Sequence, residues 1–285
     1  MLQDQFVPVA FDQWYQRKQQ DVEGRFYQKI ANQGPRNDMD LTTQGFYIAT
    51  ASGQLLHFNN NRGPDRIKKL MRQALSGKGR KVAEPIEAGD VLPEIPATKP
   101  AGAVVIQVNS KVLGGYQESD RPYLQVMQDA IGRDNLWIYA AEIEQLTKGD
   151  FPESLAKKLV RFHGVDNTRG EAPMWSDQQI ESLQIEMDTD GTLQGSVNLS
   201  TDDGKRSYRA DIRGHVELDQ GALTRFDIVL KGDFVGHGRY TPHAPPGEFP
   251  LAVTLRLASD KDVASQVRPQ ALKAAGTRYL RMGGR

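Results

Sequence analysis

The chain contains no cysteine among its 285 residues. Without thiols it cannot form disulfides, hold a metal through thiolates, use a cysteine nucleophile or exchange dithiols. The absence does not fix the compartment, because a protein large enough to build its own hydrophobic core needs no disulfides. Thiol–disulfide chemistry is therefore excluded, whatever the location.

The chain also lacks net charge, since 36 Lys and Arg residues balance 36 Asp and Glu residues. This balance argues against binding nucleic acid or an anionic membrane through bulk charge. No window approaches the roughly 18 to 20 apolar residues of a membrane span, and no basic-plus-apolar signal peptide opens the sequence. We therefore expect no nucleic-acid partner and no membrane span.

Residues 1–76 carry alternating strand and helix patterns. Phe6–Ala10 is a short apolar run that predicts a strand, with Pro8 favouring a sheet edge. Apolar residues every four positions predict a helix at Asp21–Gln33. Phe46–Thr50 and Leu55–Phe58 predict a hairpin. A second helix follows Gly63, and its predicted buried face comprises Ile67, Leu70, Met71, Ala74 and Leu75.

This order resembles the second half of a thioredoxin-like domain. The first strand and the active-site helix of that fold have no counterpart here, and no Cys-x-x-Cys motif is present. Thr43-Gln44-Gly45 stands where thioredoxins place a cis-proline before the hairpin. The resemblance implies a partial thioredoxin-like α/β layer at residues 1–76 that is redox-inactive.

Residues 77–102 predict a linker, and residues 103–285 predict a second domain. The linker is rich in Pro, Gly and charge, and it includes the basic cluster Lys78–Lys81. Ala103–Leu113 is the strongest strand pattern of the chain, while Glu142–Thr147 and Pro152–Phe162 predict helices.

From Ile180 onward the apolar period changes to two, which predicts successive strands. Gly-containing pairs, among them Asp190-Gly191, Gln220-Gly221 and Lys231-Gly232, predict the turns between them. Residues 263–275 predict a weak closing helix. The expected fold class is α+β, with an antiparallel meander that is strongly curved or barrel-like and has helices packed at one end.

The junction between helices and strands, Arg161–Trp175, has the densest mix of chemically capable residues. One interpretation is catalytic: His163 acts as a base, oriented by Asp166 or Glu171. The other is structural, with Asp166 turning the backbone, Arg169 bridging polar groups and Trp175 filling the core. The motif contains no suitable nucleophile, which favours the structural interpretation. Arg169 and Trp175 are also candidate binding residues.

His237, between Gly236 and Gly238, is a further candidate binding residue. Three histidines in the strand region could hold a metal ion, but their spacing matches no known metal motif, so no metal site is predicted. The glycines at 232–238 lie among predicted strands without a following helix and therefore cannot present a helix N-terminus to phosphate. We expect no cofactor.

Most of the chain resembles a bacterial two-part family of unknown function. The resemblance rests on Arg161–Trp175, Arg225–Val229 and Gly236–Tyr240, together with Phe6–Trp14 and Thr42–Leu56. Members combine a thioredoxin-like N-terminal region with a β-rich C-terminal region, often behind a signal peptide. The resemblance implies the two-part architecture and a periplasmic or secreted location.

Two functional hypotheses remain open at this point. The first is a non-enzymatic binding or interaction protein for an unknown ligand or protein partner, since no complete catalytic constellation is visible. The second is a hydrolase or metal-dependent enzyme that uses His163, Asp166 and Glu171 with His237. A shared pocket for the two imidazoles would favour the second hypothesis.

Overall fold

The computed structural model describes residues 1–61, 63–77, 99–238, 241–259, 262–272 and 279. The chain forms two compact units, Met1–Ile95 and Pro96–Arg285, which divide inside the predicted linker. Residues 78–98 of that linker, with its basic cluster, lie outside the described residues. So do residues 273–275 of the predicted closing helix and most of the basic tail. No described helix is both long and apolar enough to cross a membrane.

The first unit contains helices and one hairpin. Its helices are α1 (Leu2–Gln5), α2 (Gln13–Gln16), α3 (Val22–Ala31) and α4 (Pro64–Ser76), and its strands are β1 (Phe46–Ala49) and β2 (Leu55–Asn59). The Asp21 carboxylate begins α3 by accepting a hydrogen bond from Gly24 N at 2.8 Å. The predicted buried face of α4 is only partly buried, since Met71 is buried but Leu70 is half-buried.

The prediction of a strand at Phe6–Ala10 is wrong. The segment has no regular secondary structure, and β1 and β2 form a two-stranded sheet by themselves. Pro8 offers no amide proton to a ladder, and Val7 remains 88% exposed. The described residues therefore do not show a thioredoxin-like layer.

The second unit is built on one antiparallel sheet of seven strands. The strands are β3 (Val104–Val112), β4 (Gly132–Ile138), β5 (Ile180–Met187), β6 (Thr192–Ser200), β7 (Ser207–Asp219), β8 (Ala222–Val235) and β9 (Glu248–Leu257). Their order is β4-β3-β9-β8-β7-β6-β5. The predicted meander forms five consecutive strands, and the β3–β4 hairpin extends it beyond β9. The fold class α+β is confirmed, but no pairing among the described strands closes the sheet into a barrel.

Among the residues that the structure describes, three helices with defined bounds accompany this sheet: α5 (Pro122–Asp129), α6 (Ala140–Thr147) and α7 (Glu153–His163). A 3-10 turn at Val263–Gln266 stands in place of the predicted start of a closing helix. Helix α7 buries Leu155, Leu159 and Phe162, as its spacing predicts. It contacts both β4 and β5, which are opposite edges of the sheet. The sheet must therefore curve around α7.

Glycines on the inner face of the sheet permit this curvature. Gly195, Gly214 and Gly232 lie on three consecutive strands, and a Cβ at Gly232 would stand 1.8 Å from the Arg209 carbonyl oxygen. Strands bend where such close backbone approach is possible. The predicted turn at Lys231-Gly232 is wrong for the same reason, since β8 continues through it to Val235.

Candidate binding site

Trp175 fixes the junction between α7 and the meander. Its side chain is 1% exposed, its indole Nε1 donates to the Gly164 carbonyl at 2.8 Å, and its backbone N donates to Arg161 O at 3.0 Å. The Arg206 guanidinium lies 3.8 Å from the indole ring centroid. Burial of the ring leaves it no surface for a ligand in this conformation.

Asp166 and Arg169 form a buried ion pair within the same junction segment. Asp166 Oδ1 also accepts hydrogen bonds from the Thr168 backbone N at 3.1 Å and from its hydroxyl at 2.6 Å, which is the geometry of an Asx turn. Arg169 Nη1 donates to the Tyr116 hydroxyl at 2.6 Å. Burial raises the pKa of Tyr116 above its ordinary value. Both charged side chains are occupied by internal contacts.

His163 does not pair with Asp166, as the catalytic interpretation suggested. It is buried at the end of α7, and its Nδ1 lies 3.2 Å from Asp134 Oδ2 in β4 without the alignment of a hydrogen bond. Neither ring nitrogen has a hydrogen-bond partner within the described part of the chain. Asp134 Oδ1 meanwhile accepts from the backbone amides of Asn135 and Gln270, at 2.8 and 2.9 Å.

Glu171 and His237 are both exposed, whereas His163 is buried. His237 follows β8, and its Nδ1 lies 3.2 Å from the Gly238 carbonyl oxygen. The next residue packs on the junction, because a Cβ at Gly238 would stand 2.2 Å from Pro173 Cδ. Across the described residues no group of three or more His, Asp or Glu side chains converges as metal ligands would. The two imidazoles therefore lie in different environments.

Sequence reasoning missed a buried ion pair under the sheet. Lys158 on α7 is fully buried, and its Nζ lies 2.7 Å from Glu142 Oε2 and 4.0 Å from the Tyr139 ring centroid. Desolvation lowers the pKa of Lys158 to about 8, although Glu142 opposes the shift. A lysine on the apolar stripe of a predicted helix was the available signal. The pair is inaccessible to a substrate.

The two edges of the sheet differ in what covers them. At β4, Tyr279 accepts a hydrogen bond from the Trp137 backbone N at 3.2 Å, and the Asn135 side chain donates to the carbonyls of Ala264 and Val267. The C-terminal segment therefore covers this edge. In the part of the chain that the structure describes, no strand or segment pairs with the outer edge of β5.

An apolar groove of about 290 Å³ separates β5 from the N-terminal half of α7. Its walls comprise Phe151, Glu153, Ala156 and Lys157 on one side and Ile180, Leu183 and Ile185 on the other. The three β5 residues are half-buried, while the inward residues of β6, such as Val197 and Leu199, are fully buried. Apolar side chains on β5 therefore remain available for contact.

Acidic residues surround this open edge. Residues 176–204 contain seven acidic residues and no Lys, Arg or His, although the whole chain has zero net charge. Glu181 and Glu186 lie on β5 itself, and Asp188 and Asp190 follow it. The Asn198 side chain donates to the Glu181 carboxylate, while Glu186 makes no ion pair with any described residue. The edge carries negative charge on its solvent side.

Comparisons of the chain with protein-family models, with curated proteins and with solved structures give no significant match. The resemblance to a two-part bacterial family therefore stays a prediction.

Proposed function

We propose that this protein is a non-enzymatic binding protein that takes up an extended segment of a partner protein along β5. The segment would add to the sheet as an eighth strand. The single observation that carries this proposal is the open outer edge of β5 beside an apolar groove, on a sheet whose other edge is covered.

The mode of binding follows from strand geometry. An edge strand presents unpaired N–H and C=O groups that another extended chain can satisfy, and pockets beside it receive alternate side chains. Leu183 and Ile185 point to the groove side, whereas Gln184 and Glu186 lie on the exposed face. Apolar residues at every second position of the bound segment would therefore enter the groove.

The polar clusters elsewhere support a binding role over catalysis. Asp166 and Arg169 are paired with each other, and Lys158 is paired with Glu142 in the interior. His163 faces Asp134 away from the solvent. A hydrolase or metal-dependent enzyme using His163, Asp166, Glu171 and His237 remains the alternative hypothesis.

Peptide binding observed by NMR tests the proposal. The ¹⁵N-labelled full chain is titrated with an end-blocked peptide of sequence Ser-Val-Thr-Ile-Ser-Val-Thr. We expect chemical-shift changes in β5 and in the α7 residues that line the groove. Leu183→Ser should weaken binding at least about tenfold, because a buried leucine side chain contributes about 1.5 to 3 kcal/mol.

Leu218→Ser is the matched control, since Leu218 is also a half-buried strand leucine but does not line the groove. It should bind the peptide like the unmodified protein. Equal weakening by the two substitutions, or shift changes that avoid β5, would contradict the proposal.

A further inference from the structure

The charge around β5 restricts which segment it can accept. We propose that the partner segment is basic, with Lys or Arg on the face opposite its apolar residues; this inference rests on the proposed function. The recognition pattern is an alternation of apolar and basic residues in an extended chain, about seven residues long.

The length follows from the positions of the two glutamates on β5. Glu181 and Glu186 are five residues apart, which is about 16 Å along a strand. A segment that reaches both needs at least six residues beside them. Its groove-side residues would meet Leu183 and Ile185, and its outward residues would lie beside the glutamates.

Most carboxylates around the edge make no ion pair with a described residue; the exceptions are Asp177, which pairs with Arg161 at 2.8 Å, and Asp203, which pairs with Lys205 at 3.0 Å. Glu186 has no ion pair among the described residues, and the opposite groove wall is neutral because Lys157 pairs with Glu153 at 2.5 Å. On β7, two strands away, Arg213 donates a hydrogen bond to the Gln194 side chain at 3.2 Å, and His215 lies 3.2 Å from Glu217. A hydrogen bond from Thr192 N lowers the pKa of Asp190 below its ordinary value.

The same charges disfavour other occupants. Two copies paired through β5 would place glutamates beside glutamates, and like charges on neighbouring strands are destabilising. Nucleic acid and anionic membranes are repelled by an acidic surface. A basic segment of a protein instead gains both cross-strand attraction and faster association.

Three end-blocked peptides separate the effect of peptide charge on binding from that of the apolar side chains. They are Lys-Val-Lys-Ile-Lys-Val-Lys, its neutral Ser/Thr counterpart and its glutamate counterpart. We expect the basic peptide to bind the full chain about tenfold more tightly than the neutral one at low salt, and the acidic one most weakly. The difference should shrink as salt is raised.

The variant E181Q/E186Q should remove most of this preference while leaving binding of the neutral peptide unchanged. The control E144Q/D129N also removes two negative charges, but at exposed positions outside β5, β6 and α7. It should still bind the basic peptide more tightly than the neutral one. This pair of variants assigns the selectivity to the β5 edge rather than to net charge.

Other outcomes would refute either the basic partner alone or the proposed function as well. Equal binding of all three peptides at β5 would leave the proposed function standing and refute the basic partner. No binding by any peptide refutes both. Basic-peptide binding that is unaffected by L183S and E181Q/E186Q is nonspecific and also refutes the inference. A dimer that dissociates on L183S identifies a second copy as the occupant instead.

Discussion

The two edges of one sheet have opposite surroundings. At β4, a tyrosine hydroxyl and backbone groups of the C-terminal segment satisfy the strand, and Leu136, Trp137 and Ile138 are all buried. At β5, the inward apolar residues remain half-buried beside a groove, and the outward residues are exposed. The difference indicates that β4 contributes to folding, while β5 is available for another role.

Natural proteins usually protect sheet edges against unwanted pairing. The cover over β4 is one such protection, and the bulge at Glu181 together with the negative charge of β5 is another. Charge protects selectively, however, because it repels a second acidic edge and attracts a basic one. The protection of β5 and its proposed selectivity therefore have the same physical cause.

The largest expected effect is at the covered edge. Tyr279→Ala should destabilise the protein by about 3 to 5 kcal/mol, because a fully buried ring that packs 5.2 Å from Phe162 is removed. Tyr279→Phe should cost about 1 to 3 kcal/mol, since Trp137 N loses its acceptor. Urea melts measure both. If Ile185→Ala at the open edge costs as much as Tyr279→Ala, the contrast between the edges is wrong.

The buried Lys158 beneath the covered edge predicts a pH dependence of stability. The pKa of Lys158 is about 8 in the folded protein, against 10.5 for an ordinary lysine. Between these values the unfolded chain binds the proton that the folded chain releases, so stability should rise from about pH 8 to about pH 10. Above that range the buried Tyr139 and Tyr279, whose pKa values are raised by desolvation, reverse the trend.

The control for this prediction is the double variant E142Q/K158M, which removes both charges together. Its urea midpoint should vary less between pH 8 and pH 9.5 than that of the unmodified protein. A flat profile for the unmodified protein over the same range would contradict the shifted lysine pKa.

A smaller effect is expected at His163, which joins α7 to the covered edge. His163→Leu should change stability by less than about 1 kcal/mol, because it replaces a buried ring without hydrogen-bond partners among the described residues by an apolar side chain. Asp134 keeps its two backbone hydrogen bonds on Oδ1. A loss above about 3 kcal/mol in urea melts would show instead that the contact between His163 and Asp134 stabilises the fold.

Much of the second unit was predictable because its information is local. The period-two residues Leu183, Ile185 and Met187 gave a strand, and Leu155, Leu159 and Phe162 gave the inward face of α7. The predictions failed where local patterns fit two structures. Phe6–Ala10 has the composition of a strand but has no neighbouring strand to pair with. Lys231-Gly232 has the sequence of a turn, yet β8 continues through it and its glycine only permits a bend.

The candidate site was not predictable in the same way, because it depends on contacts between distant residues. Asp134 lies next to His163 in the structure, although α6 and most of α7 separate the two residues in the sequence. Glu142 pairs with Lys158 only because α6 packs against α7. The acidic run after Ser176 is visible in the sequence. Its meaning depends on β5 being an edge strand, which follows from the β3–β4 hairpin joining the sheet next to β9.

The smallest expected effect on stability is at the open edge. E181Q/E186Q should change the free energy of unfolding by less than about 0.5 kcal/mol, because both side chains are exposed and Asn198 can still donate to the amide oxygen at position 181. The same substitution at buried Glu142 should cost about 3 kcal/mol or more, because Lys158 loses its charged partner.

Urea melts of E181Q/E186Q and E142Q compare the replacement of glutamate by glutamine at the exposed β5 edge with the same replacement in the protein interior. A loss above about 1 kcal/mol for the β5 variant would mean that these glutamates stabilise the fold, and the edge would then resemble β4. If stability is unchanged while preference for the basic peptide is lost, the carboxylates contribute energy only when a partner is present. That result would separate a binding role of β5 from the folding role of β4 within the same sheet.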